Sequence, residues 1–422
     1  MKRIIAIYRI QAACSLTKAA AILAGEQSTG TFVKLTEETD SLKKYSGAIV
    51  EHIEPIGSDS EPLLPCKKTA TKYEHGIVTI SWPLGNIGTS LPNLLSTVAG
   101  NLFELEDLSA IRLENIHLPK DFRKTNPGPQ FGISGTRKLI ISQKDPLIGT
   151  IIKPSVGLNP DQTSQIVEKL LNAGIDFIKD DELQANGHLC QFSERVKAVM
   201  SVVNKHQDKT GKRVLYAFNI TDELDKMCRN LDLLESYGAG CAMVCLISIG
   251  LTGLRAVRNR SSLVIHGHRA GWGVFSRSPN IGISFQVWQK LWRLAGADHL
   301  HVNGLANKFS DTDETVIQAA QSVQTPIFDH SPFSDTAVPV FSSGQTVWQV
   351  GKTRALLKND DFILCAGGGI IGHPDGVKSG VIAMKQAYKA AQQGYSPLEY
   401  ASLGHSELRV ALQHFKQPKF SI

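Results

Sequence analysis

Long apolar runs are missing from this chain. No stretch approaches the ~18 residues that a bilayer crossing needs, so nothing is expected to span a membrane. The opening MKRIIAIYRI is basic at its start but alternates, unlike the apolar block of a secretory leader. Dense basic runs are missing too. The net charge of +6 comes from 45 Lys and Arg scattered against 39 Asp and Glu. That argues against a nucleic-acid surface and is compatible with a site for small anions. There is no CxxC pair, and the seven cysteines (14, 66, 190, 228, 241, 245, 365) are an odd number. Reduced core thiols and a cytoplasmic location are the expectation. Low-complexity segments are absent. What remains is 422 residues with 42% hydrophobic and 20% charged side chains. Such a chain is globular, too long for one ordinary core, and long enough for a barrel of about 250 residues plus a smaller domain.

Residues 1–130 read as a mixed α+β domain. Strand candidates are Ile5–Ile10, Gly47–Ile53, Gly76–Trp82 and the alternating Ile111–Leu118. Helices are expected over Leu16–Leu23 and Leu91–Leu102, the second with Pro92 in its first turn. Two helices over an antiparallel sheet make a ferredoxin-like layer. The punctuated Asn126-Pro127-Gly128-Pro129-Gln130 is the linker. Over 131–422, eight short apolar strands alternate with helical stretches: Gly149–Lys153, Asp176–Lys179, Val214–Asn219, Ala242–Leu246, Leu263–Gly267, His299–Val302, Val338–Ser342 and Phe362–Ala366. Asp161–Asn172, Gln286–Ala295 and Gln345–Lys358 are among the intervening helices. Eight such units close into a (β/α)8 TIM barrel, with the helix-rich 375–415 outside it.

In that fold the C-terminal strand ends carry the chemistry. Here they end in Lys153; in Lys179, Asp181 and Glu182; in His266, His268 and Arg269; in His299, His301 and Asn303, with Lys308 beyond; in Ser342, Ser343 and Gly344; and in Gly367, Gly368 and Gly369. Alone, Lys179–Glu182 reads as a solvated strand end, His266 or His299 as a satisfied core histidine, and the triple glycine as a turn. Together they make one polar mouth. A lysine that has taken up CO2 as a carbamate, flanked by two carboxylates, offers three anionic oxygen ligands for Mg2+. Glycine amides after the eighth strand suit phosphate. Arg269 is costly to bury without an anionic partner. Asn219 and Thr221 read as ordinary loop residues, and Trp272, Trp288 and Trp292 as packing.

GTIIKPSVGL, AGIDFIKDDE, HGHRAGWG, ADHLHVNGLANKF, VPVFSSG and AGGGIIGHPDG, in this order, resemble the large subunit of ribulose-bisphosphate carboxylase. EQSTGTF and AGNLFELEDLSAIRLENIHLP resemble that family's N-terminal domain. The resemblance implies Lys179 as carbamate, with Asp181 and Glu182, around Mg2+. It implies Lys153 as the lysine that moves protons, His268 as a substrate-hydroxyl or proton-transfer group, and Lys308 as a mobile-loop lysine. Arg269 and His301 would hold one phosphate. Gly344, Gly368, Gly369 and Thr31 would match the other, and Ser342 would touch substrate. Glu26, Thr31 and Asn101 would reach in from a second subunit, making a homodimer the minimal active unit.

The chain departs from true carboxylases at Ser155, where a lysine is usual, at Phe32 in place of Trp, at Ser343-Gly344, and in the Lys308 loop. It therefore resembles the RuBisCO-like proteins. The expected chemistry is enediolate formation from a small phosphorylated sugar acid. The retained His268-Arg269, Lys308 and Asn101 favour the transcarboxylase/hydrolase of 3-oxo-isoapionate 4-phosphate, giving 3-phosphoglycerate and glycolate. The alternatives are an isomerase or enolase acting on 5-methylthioribulose 1-phosphate, a true carboxylase, and a non-catalytic protein.

Overall fold

The computed structural model describes residues 2–31, 33, 35–140, 145–329 and 335–422. Its strands are β1 (Arg3–Ala12), β2 (Ile49–Asp59), β3 (Tyr73–Pro83), β4 (Leu108–His117), β5 (Leu147–Ile151), β6 (Phe177–Lys179), β7 (Leu215–Asn219), β8 (Cys241–Cys245), β9 (Val264–His268), β10 (Ile281–Ile283), β11 (His299–His301), β12 (Val338–Phe341) and β13 (Ile363–Cys365). The chain forms two compact units, residues 1–127 with 271–294, and residues 128–270 with 295–422.

In the first unit, Ile4, Ala6, Tyr8 and Ile10 are buried at every second position of β1, the period of a one-sided strand. The sheet order is β10-β4-β1-β3-β2. Strands β1 to β4 are antiparallel neighbours in the ferredoxin-like order, and β10 lies parallel to β4. Helix Leu16–Glu26 is capped by Ser15. Helix Leu91–Ala99 is tied to the sheet by the Tyr8 hydroxyl, which donates to the Val98 carbonyl at 2.6 Å. Strand β10 was not read from the sequence. Trp272, Trp288 and Trp292 are buried in one aromatic cluster with Phe275 and Phe285, as packing residues should be.

The second unit is a closed, all-parallel barrel in the order β11-β12-β13-β5-β6-β7-β8-β9. All eight expected barrel strands form. The first sits two residues earlier than expected, so Lys153 follows the strand instead of ending it. Phe177, Leu215, Met243, Val264, Val340 and Ile363 fill the barrel interior with Ile140 of helix Gly132–Ile140. Each such side chain stabilises the fold by about 1.5–3 kcal/mol on burial. Among the described residues no helix is long and apolar enough to cross a membrane. All seven cysteines are free thiols, with Cys190, Cys241, Cys245 and Cys365 buried.

One buried carboxylate joins the elements around β11. Asp298 accepts from Phe131 N (2.6 Å), Gly132 N (3.1 Å), Ile265 N (2.8 Å) and Arg258 Nη1 (3.0 Å). Asp298→Ala strands the Arg258 charge and three amides, and should lower the unfolding free energy by about 3–5 kcal/mol. Denaturant titration checks this, and a loss below about 1 kcal/mol would contradict the anchoring role.

Candidate active site

Four successive charges sit where β6 stops. Lys179 is its last residue and is 1% exposed; Asp180 and Asp181 are equally buried, and Glu182 opens to solvent. Burying three charges in a row requires partners for each. Asp180 accepts from the Tyr216 hydroxyl (2.6 Å), Asn219 N (2.9 Å) and Arg195 Nε (3.2 Å). Arg195 in turn donates to the Ala185 carbonyl at 2.7 Å and the Cys190 carbonyl at 3.1 Å, so the loop after β6 is bonded down to helix Phe192–Thr210. Asn219 donates from Nδ2 to the Glu182 carbonyl at 3.1 Å. It is thus the buried end of β7 and holds the acidic loop, correcting the loop reading. Thr221 accepts from Cys245 N at 2.9 Å.

With Asp180 so engaged, the other three charges face the mouth. Lys179 Nζ is 3.7 Å from Glu182 Oε2 and donates to the Asp180 carbonyl at 2.8 Å. Lys153 Nζ lies 2.5 Å from Asp181 Oδ2 and 2.8 Å from Ser155 Oγ. His268 Nε2 is 3.5 Å from Glu182 Oε2. Burial, then the Lys179 charge, holds His268 well below its ordinary pKa. Ala270 N donates to its Nδ1 at 3.2 Å, so the neutral ring carries its proton on Nε2, facing the carboxylate. Gly367 borders Lys153: a Cβ there would lie 3.6 Å from Lys153 Cε, an ordinary contact. At 369 a Cβ would fall 2.2 Å from the Gln345 carbonyl.

Among the described residues no three His, Cys, Asp or Glu side chains form a ready metal site. Asp181 and Glu182 alone supply too few oxygens for a divalent cation. The Lys179 amine beside them is placed to supply the missing ligand as a carbamate, so the donor set fits Mg2+ on that condition.

Histidines line the adjoining strands. His301 Nε2 is 2.8 Å from His266 Nε2, and His301 Nδ1 is 3.0 Å from Ser342 Oγ. His266 Nδ1 is 3.3 Å from His299 Nδ1, and His299 Nε2 is 2.9 Å from Thr136 Oγ1. His266 stacks on Phe177, His299 meets that ring edge-on, and both serve the core. Arg269 is buried and its guanidinium is bonded by the Asp311 carboxylate, which also accepts from Asn303 Nδ2 at 2.7 Å. Asp311 was not read from the sequence as a site residue.

The barrel mouth thus brings together Lys153, Lys179, Asp181, Glu182 and His268. Lys308 stands exposed in the loop after β11, its Nζ 5.4 Å from the Phe309 ring. Ser342 and Gly344 follow β12, Gly344 with φ 72°, and Gly368 and Gly369 open a short helix after β13. Glu26, Thr31 and Asn101 belong to the first unit, where all three are exposed. Phe32 lies outside the described residues.

Burial lowers the pKa of His266 and His301 and pushes that of His299 to about 3. The unfolded chain titrates these rings near about 6.5, so below that pH it binds more protons than the folded one. The resulting stability is full above the unfolded value and is lost as pH falls. From about pH 7.5 to about 5.5 the unfolding free energy should drop, approaching ~1.4 kcal/mol per pH unit for each histidine at the acid end. His299→Gln should flatten that slope by one histidine's share in urea titrations, and an unchanged slope would contradict the assignment.

Comparison with known proteins extends the description. The chain matches the family models of the ribulose bisphosphate carboxylase large chain, the N-terminal domain over residues 1–122 and the catalytic domain over 132–415. It is 50% identical over 411 residues to a 3-oxo-isoapionate-4-phosphate transcarboxylase/hydrolase of Xanthobacter autotrophicus, covering 97% of this chain and 99% of the relative. It is 40% identical over 414 residues to a 3-oxo-isoapionate-4-phosphate decarboxylase of Rhizobium etli, covering 98% of each. A crystal structure of a rubisco-like protein from Burkholderia fungorum superimposes with a TM-score of 0.92 at 39% identity, covering 98% of this chain and 100% of that one.

Proposed function

The chain belongs to the ribulose bisphosphate carboxylase large-chain family, and from that premise we propose that it is a 3-oxo-isoapionate-4-phosphate transcarboxylase/hydrolase. The observation that carries this reading is the mouth cluster of Lys153, Lys179, Asp181, Glu182 and His268, in a chain half identical to a relative of that name. In the proposed reaction the substrate carboxylate leaves as CO2, and the electron pair of the broken bond forms an enediolate. CO2 adds to the neighbouring carbon, and water cleaves the product to 3-phosphoglycerate and glycolate.

Held by Asp181, Glu182 and the Lys179 carbamate, Mg2+ would supply Lewis-acid polarisation of substrate oxygens. Lys153 is the proton carrier in this reading. Its ammonium rests on Asp181, one of the residues that would hold the cation. His268 offers Nε2–H to a substrate hydroxyl or developing oxyanion. Lys308, on an exposed loop, meets the migrating carboxylate by charge. Glu26, Thr31 and Asn101 of one copy would complete the mouth of another in a homodimer.

Proton-resolved NMR of the purified protein with substrate, Mg2+ and bicarbonate should show 3-phosphoglycerate and glycolate. Lys179→Ala should lower turnover at least about 10³-fold, because the third oxygen ligand is removed. The decarboxylase reading, favoured by the Rhizobium etli relative, predicts CO2 release without glycolate. No turnover would move the assignment to proton-transfer chemistry on 5-methylthioribulose 1-phosphate. Carbon fixation on ribulose 1,5-bisphosphate is disfavoured by Ser155, which lies 2.8 Å from Lys153 Nζ where a lysine charge would press on that amine.

The shared site has its own test. Lys179→Ala and Asn101→Ala, each inactive alone, should regain about a quarter of wild-type turnover when co-refolded in equal amounts, the statistical share of intact sites in random dimers. No recovery, with mixed dimers confirmed by native mass spectrometry, would place each site within one chain.

A further inference from the structure

The guanidinium of Arg269 is buried at the barrel mouth, where the family resemblance expects it to take a substrate phosphate with His301. It is already bonded to a carboxylate of this chain. Asp311, ten residues beyond β11, holds Arg269, and its Oδ2 accepts from Asn303 Nδ2 at 2.7 Å. The arrangement is built, not incidental. Asn303 takes a left-handed backbone, φ 66°, uncommon for a non-glycine residue. Asn307 fastens the loop by donating from Nδ2 to the Gly304 carbonyl at 3.0 Å and the Asp311 carbonyl at 3.1 Å. Side-chain exposure of the pair is 8% for Arg269 and 12% for Asp311.

Within this pair the charges therefore cancel. Arg269 contributes +1 and Asp311 contributes −1. His301, between His266 and Ser342, is kept neutral by burial and adds nothing. A phosphate dianion brought here would meet no net positive charge, and would have to break a buried charge-assisted pair or sit beside a buried carboxylate. A hydroxyl suits the place better, since it can donate to Asp311 and accept from Arg269. Lys153 lies towards the glycines, where a Cβ at Gly367 would be 3.6 Å from its Cε, and the Lys308 backbone passes near Gly344, where a Cβ would be 4.0 Å from its nitrogen.

We infer that Asp311 is a specificity-determining residue: it fills the Arg269 anion fork, so this site takes monophosphates, with the phosphate towards Gly344, Gly368 and Gly369 and an uncharged hydroxymethyl end towards Asp311. The inference rests on reading the mouth as a phosphorylated-sugar site. It does not depend on which carbon–carbon step follows.

Equilibrium binding tests it without turnover. Isothermal titration of the Mg2+- and bicarbonate-treated protein would compare ribulose 1,5-bisphosphate with ribulose 5-phosphate. The wild type should bind the bisphosphate no tighter than the monophosphate. Asp311→Asn removes the carboxylate charge from Arg269, and the bisphosphate-to-monophosphate affinity ratio should rise at least about tenfold. Arg269→Gln/Asp311→Asn should abolish that gain. A wild type that already prefers the bisphosphate tenfold, with no further gain in Asp311→Asn, would mean that Asp311 simply yields, and would overturn the inference. Should neither ester bind, stabilisation of the folded protein by inorganic phosphate decides. Asp311→Asn must gain more than the wild type and than the double variant, and equal gains would overturn the inference. Loss of 3-oxo-isoapionate turnover with the binding pattern intact would count against the proposed reaction only.

Discussion

Everything at the barrel mouth depends on the buried carboxylate of Asp180. It is one of four consecutive charged residues, and three of them are withdrawn from water. An uncompensated charge in that position would cost several kcal/mol. Arg195, Tyr216 and the Asn219 amide bond Asp180 from outside the mouth. The backbone is thereby fixed on both sides of it, and strand geometry turns its neighbours the other way. Lys179 and Asp181 then face the mouth, Lys179 towards Glu182 and Asp181 towards Lys153. A strand end that would otherwise fray becomes a rigid platform, which is what oxygen-ligand chemistry requires.

The histidines form a second system with a different logic. His266, His299 and His301 touch one another within the barrel, and burial keeps them neutral. They bring polarity to the interior without charge. Formal charge is thus left to Arg269, a few lysines and the carboxylates they pair with.

The barrel was legible because short β-branched strands alternate with helices, and because strand ends that are polar one after another have no packing explanation. The acidic loop and its lysine were legible for the same reason. Other features were hidden by non-locality. Asn219 looks like any polar residue before a turn, and only its bond to the Glu182 carbonyl, 37 residues back, reveals its task. Asp311 sits in a polar loop with no periodicity, and its partner Arg269 is 42 residues away. Strand β10 is three residues long and lies among barrel elements in sequence, so no local pattern could assign it to another sheet. The first barrel strand was read two residues late because Ile152 keeps bonding alongside β6, through Lys179 O at 3.0 Å, after the regular strand has ended.

That stray strand sets an order of events during synthesis. The outer edge of β4 is covered by β10, with Ile111 N bonding the Asn280 carbonyl at 3.0 Å and Ser284 N the Leu113 carbonyl at 2.9 Å. The last residue of β4 is His117 and the first of β10 is Ile281, a separation of 281 − 117 = 164 positions. At about 5–20 residues per second, the ribosome needs roughly 8–33 seconds to deliver the missing strand. Through that interval a nascent sheet carries an open edge of unpaired amides and carbonyls, the form most prone to pairing with another chain.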